Sequence, residues 1–203
     1  DHLSLGDLDG FYKEARAKFD ADDAFQDRAR ARVVLLQSGD TETRRLWSLL
    51  VALSTRHFNA VYERLGVLLT DADLMGESAY NDLLPEVIRR LDALGLLAES
   101  DGADVVFPPG YTNREGAPLP LIVQKGQGGF NYATSDLACV IDRVERLGAD
   151  LLLYVVGAPQ AQHLSMVFDV ARMAGWLTAS TDAVHVAFGL SLIHISEPTR
   201  RRG

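Results

Sequence analysis

A single cysteine, Cys139, is all the sequence contains, so no disulfide can form within the chain, and a reducing compartment suits it. No apolar run approaches the roughly 18 to 20 residues that cross a bilayer. The start, Asp1-His2-Leu3-Ser4, has neither an initiator methionine nor a signal-peptide pattern, and a truncated beginning is expected. Positive charge is also short: the formal net charge is −8, which excludes nucleic-acid binding by bulk charge alone. Local basic faces remain available at Arg28, Arg30 and Arg32 or at Arg44 with Arg45, and each serves equally well as a solvated helix face. No G-x-x-x-x-G-K-[ST] loop, H-E-x-x-H or C-x-x-C occurs. Asp20, Asp22 and Asp23 lack the glycine and distal glutamate of a calcium loop. What is present is ordinary for a globular chain: 203 residues, 47% apolar and 24% charged.

Residues 9 to about 97 read as helical. Leu46, Leu49, Leu50, Leu53, Ala60, Val61 and Leu65 recur near a 3.6-residue period, and a second stripe of Trp47, Val51, Phe58 and Tyr62 predicts burial on two sides. Asp40 or Thr41 can cap this helix and Gly66 can end it. Residues 11–19 and 24–36 suggest two earlier amphipathic helices. A later one is expected from about Tyr80 to Leu94, with Leu83, Leu84, Val87, Ile88, Leu91 and Leu94 inward and Gly95 as the stop.

After Ser100 the character changes. Residues 105–107 and 119–123 are short β-type runs around a loop rich in proline and glycine. Residues 151–156 form a continuous apolar run, the pattern of a strand covered on both faces, between helical patterns at 135–147 and 159–174. A short strand at 184–188 follows. This rhythm predicts an α/β fold: a helical layer, then a parallel sheet with crossover helices.

Two polar constellations stand out. In Tyr132-Ala133-Thr134-Ser135-Asp136, Thr134 or Ser135 can cap a helix with Asp136 in its first turn. A carboxylate beside a phenol can receive a guanidinium or ammonium; alternatively, Asp136 only complements the helix dipole. In Gly157-Ala158-Pro159-Gln160-Ala161-Gln162-His163, Gln160 and His163 share a helix face at the carboxyl end of the buried strand, where open parallel sheets bind ligands. A solvent-facing glutamine and a hydrogen-bonded histidine are the plainer alternative. His185, His57 and Cys139 read as packed residues. The turn at Gly126, Gly128 and Gly129 does not match a dinucleotide fingerprint.

The same segments, with Leu119-Pro120-Leu121-Ile122-Val123, Tyr154-Val155-Val156, Ala174-Gly175-Trp176-Leu177 and His185-Val186-Ala187-Phe188-Gly189, resemble the arginyl-tRNA synthetase family in order and spacing. Asn81-Asp82-Leu83-Leu84-Pro85 and residues 107–113 resemble its actinobacterial-type branch. The resemblance runs over residues 1 to 189. It implies part of a class I synthetase catalytic domain with a Rossmann-like parallel sheet. Residues 1–100 would be a helical insertion or layer, and 101–190 the C-terminal part of the Rossmann-like domain. It implies an ATP-dependent arginine–tRNA ligase of the cytoplasm, serving translation, with arginine, ATP, Mg²⁺ and tRNA-Arg as substrates and partners. Tyr132, Asp136 and Gln160 would contact arginine, chiefly its guanidinium, while His163, His185, Val186 and Phe188 would lie near ATP. The rival reading is a non-catalytic synthetase-like paralogue or an arginine-binding module.

Departures from the family pattern are equally specific. The His-Ile-Gly-His-type and Lys-Met-Ser-Lys-Ser-type phosphate motifs do not occur, so no catalytic residue is assigned within these residues. Lys125-Gly126-Gln127-Gly128 stands where the family usually has Lys-Ser-Asp-Gly, an alteration expected near the pocket. Residues 191–203 match the translation of a sequencing adapter and are expected to be disordered, so His194 and the terminal arginines receive no role. The 203-residue chain alone is expected to lack arginine-dependent exchange of pyrophosphate into ATP; measurable exchange would overturn that expectation.

Overall fold

The structure is a computed structural model that describes residues 5–126 and 128–189. The adapter-like tail lies outside the described residues. Two compact units divide between Leu74 and Met75.

The first unit holds helices α1 (Leu5–Ala21), α2 (Asp23–Ser38) and α3 (Thr41–Leu65). Their limits follow from local chemistry. Asp22 accepts from the Phe25 amide, and Asp40 accepts from the Thr43 amide at 2.8 Å and its hydroxyl at 2.6 Å. These bonds hold the Asp40 carboxyl below its ordinary range. Gly39 and Gly66 take positive φ values of 91° and 69° and close α2 and α3. Burial of α3 on two sides is not what the structure shows. Thr43 is its one buried residue among those described, and Leu46, Leu49, Leu50, Trp47, Val51 and Phe58 are exposed. An apolar stripe states what a helix face is made of, not what covers it; within this unit α1 and α2 are its neighbours.

In the second unit, one expected helix is two elements: a 3-10 segment, Glu77–Leu83, running into α4 (Leu84–Ala93), with Pro85 in the first turn of α4. Leu84, Val87 and Leu91 point inward as expected, whereas Leu94 is exposed, because the helix ends at Ala93 and Gly95 turns the chain away at φ 67°. Strands β1 (Ala98–Ser100), β2 (Ala103–Val106) and β3 (Leu121–Gln124) form an antiparallel sheet in that order. Asp101 and Gly102, both at positive φ, make the two-residue turn between β1 and β2.

Helix α5 (Tyr132–Ile141) follows and ends in a π-helical turn, Asp142–Arg146. Then come β4 (Leu151–Gly157), a 3-10 turn (Ala158–Gln160), α6 (Ala161–Met173) and β5 (Asp182–Phe188). Strands β4 and β5 pair in parallel from Leu151↔Asp182 to Gly157↔Phe188, with α6 as the crossover, which is the expected α/β rhythm. Val87, Leu91, Val123, Leu137, Val167 and Val170 form the centre of the core, fully out of solvent. The loop between β2 and β3 is tied down where Tyr111 Oη donates to Asp169 Oδ2 on α6 at 2.6 Å.

Strand β4 is covered on one face, not two. Leu152 and Tyr154 are buried, but Leu151, Leu153 and Val155 are exposed, as are Val184, Val186 and Phe188 beside them on β5. An unbroken apolar run makes both faces fit for burial, and only the face packed on the helices receives cover among the described residues.

An ion-pair chain fastens α4 to the π-turn. Arg90 bonds Glu86 at 2.9 Å and Glu145 at 2.6 Å. Hydrogen bonds from Arg89 and Arg90 pull the Glu86 carboxyl from 4.5 down to about 2. The folded value lies below the unfolded one, so this contribution is complete above pH about 4.5 and fades as pH falls toward 2. Urea unfolding midpoints should therefore drop between pH 5 and pH 3, and Arg90→Ala should flatten that drop; an unchanged acid slope in the variant would contradict the assignment. Both partners lie at the surface, so the effect is small.

Candidate functional site

The carboxyl end of β4, the start of α6 and the start of α5 meet at one place. There the helix cap differs from the expected one. Asn131 caps α5: its Oδ1 accepts from the Tyr132 amide at 2.9 Å, while its Nδ2 donates to the Ile122 carbonyl on β3 at 3.2 Å. Thr134 and Ser135 lie inside the helix. Thr134 donates to the Val123 carbonyl, and Ser135 Oγ lies 2.6 Å from Glu77 Oε1 and 2.9 Å from the Tyr132 carbonyl. Asp136 is consequently in the second turn, one turn beyond Tyr132 on the same face, where the dipole of the helix end has weakened.

Three of the expected residues come together. Asp136 Oδ2 and His163 Nε2 are 2.6 Å apart, and the Tyr132 and His163 rings pack at 4.7 Å between centroids, tilted by 56°. The His163 side chain is 15% exposed and that of Asp136 35%, so the carboxylate keeps an open side while the ring is nearly enclosed. Tyr132 is 58% exposed, its ring forming the rim. This arrangement presents an aromatic wall and a half-exposed carboxylate whose second oxygen can accept from a planar donor.

The other expected residues stand apart from this trio. Gln160 is exposed in the turn that opens α6 and touches none of the three by a hydrogen bond. His185 on β5 pairs in register with Tyr154, and its Nε2 lies 2.9 Å from the Val156 carbonyl. Val186 and Phe188 are exposed on β5, where Phe188 pairs with Gly157 at the strand end just before Gln160. Among the described residues no group of three or more His, Cys, Asp or Glu side chains forms a cage for a metal ion.

Glu77 is a neighbour of the candidate site that the sequence reading does not single out. It reaches α5 across 58 positions of sequence through Ser135, between Tyr132 and Asp136. Only its place at the start of a helical turn after Gly76 hinted at a role. Behind it, Cys139 Sγ contacts Tyr80 Oη at 3.4 Å. Burial, with the thiol contact second, pushes the Tyr80 phenol up to about 12, and burial raises the Cys139 thiol.

The glycine turn after β3 is structural. Lys125 N donates to the Gly129 carbonyl and Gly128 N to the Lys125 carbonyl, both at 2.8 Å. A Cβ at Gly126 would overlap the Gly102 carbonyl oxygen of the β1–β2 turn, so this position admits no side chain without a shift of backbone.

A parallel strand–helix–strand unit with its polar residues at the strand's carboxyl end places the chain among the α/β proteins that work at that edge. The chain belongs to the class I tRNA synthetases, since the family model for the "tRNA synthetases class I (R), catalytic domain" matches residues 1–203. Among curated relatives, it is 56% identical over 183 residues to an arginine–tRNA ligase of Thermobifida fusca, covering 90% of this chain and 32% of that protein. It is 50% identical over 190 residues to the arginine–tRNA ligase of a Nostoc species, covering 94% and 32%. The chain thus spans about a third of the length of the curated relatives it matches. Its fold is similar to the crystal structure of arginyl-tRNA synthetase from Plasmodium falciparum, with a TM-score of 0.77 at 24% identity over 96% of this chain and 32% of that one.

The enclosed thiol gives a direct check of the packing behind the site. Cys139 is 8% exposed, and burial keeps it protonated above the ordinary value of 9. A disulfide reagent at about pH 8 should label it slowly in the folded chain and fully in concentrated guanidinium. Rapid labelling of the folded chain would contradict the geometry.

Proposed function

We propose that this chain supplies the arginine-recognition part of an ATP-dependent arginine–tRNA ligase. The observation that carries the reading is the convergence of Tyr132, Asp136 and His163 on one rim at the carboxyl end of β4. The names of the relatives support it. His163 occupies Oδ2 of Asp136, which leaves Oδ1 of the part-exposed carboxylate for a second donor. A guanidinium donates there in the plane, with the Tyr132 ring as a wall and Glu77 as a second carboxylate entering beside Ser135. Gln160, exposed at the head of α6, is placed within this reading as a further acceptor for the same group. Lysine would satisfy fewer of these acceptors and leave the rest unpaired, which is the basis of discrimination.

In the reaction this reading implies, the arginine carboxylate attacks the α-phosphorus of ATP, pyrophosphate leaves and arginyl-adenylate forms. The terminal ribose hydroxyl of tRNA-Arg then attacks the arginyl carbonyl, the bond to the phosphate breaks, and AMP leaves. Residues here orient the amino acid; His163 and the backbone of β5 at His185, Val186 and Phe188 are assigned to the ATP side. Mg²⁺ belongs to this reading as a companion of the ATP phosphates. The described residues do not form a site for it, and no step is routed through a protein-held ion. The helices before about residue 100 are assigned to a helical layer of the catalytic domain, and residues 101–190 to its Rossmann-like part. No helix among the described residues is long and apolar enough to cross a membrane, and a cytoplasmic enzyme of translation is the setting we assign.

Titrating the chain with L-arginine and L-lysine, followed by amide NMR shifts at residues 132–137, tests the reading. Arginine should bind and lysine should not, and Asp136→Ala should weaken arginine on the order of 30-fold or more. Equal binding of both amino acids, or an unchanged affinity in Asp136→Ala, would remove the arginine pocket.

A further inference from the structure

Two contacts join the 3-10 segment Glu77–Leu83 to α5, and their spacing is informative. Ser135 Oγ meets Glu77 Oε1 at 2.6 Å, and Cys139 Sγ meets Tyr80 Oη at 3.4 Å. The two partners on α5 are four residues apart, while those on the 3-10 segment are three apart. An α-helix rises about 1.5 Å per residue, so four residues advance about 6 Å. A 3-10 helix rises about 2.0 Å per residue, so three residues also advance about 6 Å. The two contacts ascend both helices in the same direction, and the rise of the 3-10 segment matches that of α5 rung for rung. Wound as an α-helix, the same three residues would advance about 4.5 Å, and the two rungs would no longer be in step.

A seven-residue 3-10 run is long for this geometry, and something must sustain it. The inner rung is suited to that task. Tyr80 and Cys139 are both buried, 5% and 8% exposed, so their contact sits in a dry setting where water does not compete. The outer rung is at the surface end, where Ser135 stands between Tyr132 and Asp136.

We propose that Tyr80 is a positioning residue: its contact with Cys139 sets the register of the 3-10 segment against α5 and so holds the Glu77 carboxylate at the guanidinium side of the site. This rests on the arginine-recognition reading above. Tyr80 touches no substrate. It acts through Glu77: loss of the hydroxyl contact lets the outer rung slip, while the packed ring keeps the segment folded.

The experiment is a double-mutant cycle on arginine binding by the 203-residue chain, read by the same NMR titration. Tyr80→Phe, which keeps the ring, should weaken arginine binding about threefold to tenfold. Cys139→Ser, which keeps a donor at the inner rung, should stay near the parent. The deciding measurement is Tyr80→Phe in a Glu77→Gln background, where it should have no further effect, since the group it positions is already changed. A purely structural role would lower affinity equally in both backgrounds, and that result overturns the proposal. So does parental affinity in Tyr80→Phe. If the parent chain binds no arginine at all, the arginine reading itself fails, an outcome distinct from both.

Discussion

Helix α5 is enclosed on nearly every side, and the rest of the second unit is arranged around that enclosure. Residues 133–135 and 137–141 are all buried, against β3, the 3-10 segment, α4 and α6. Only Tyr132 and Asp136, one turn apart, keep access to solvent. Such a helix has almost no freedom to rotate, because any turn about its axis would expose Leu137 or Val140 and bury a carboxylate. The direction of Asp136 is thus set by apolar packing on the other faces, and His163 completes the restraint from α6.

This explains why the site is built from small polar residues with several duties. Asn131 caps α5 and reaches back to β3; Thr134 joins the same strand one turn later. The Thr134 bond satisfies a donor that burial would otherwise leave unpaired, and all of these bonds fix the helix axially. Ser135 does this toward the 3-10 segment. A polar side chain inside an apolar interface is costly unless its partner is in place, so these residues act as locating pins between elements.

Much of this was readable from residue order. The parallel β4–α6–β5 unit followed from an apolar run, a helical pattern and a second β-type run; Tyr132 and Asp136 were recognisable as a possible cation pocket at a helix start, and His163 with Gln160 as a polar pair after a strand end. The cap was not, because Asn131, Thr134 and Ser135 are all good caps, and only the partner carbonyls on β3 decide among them. Asp101-Gly102 carried a hairpin signal that was passed over, since the strands it joins are too short to show alternation. Glu77 was hidden for a different reason: its partner is far off in sequence, and three-residue periodicity leaves no clear stripe. Burial of α3 and β4 on two faces was over-read, because composition records suitability for cover and not the cover itself.

The crowding of Gly126 against the Gly102 carbonyl brings the β1–β2 turn and the turn after β3 into direct contact. A serine at Gly126 could be accepted only with a displaced β1–β2 turn, and a displaced turn would in turn relieve the demand for glycine. The two turns are therefore sterically coupled: whether a side chain fits at one depends on where the backbone of the other lies.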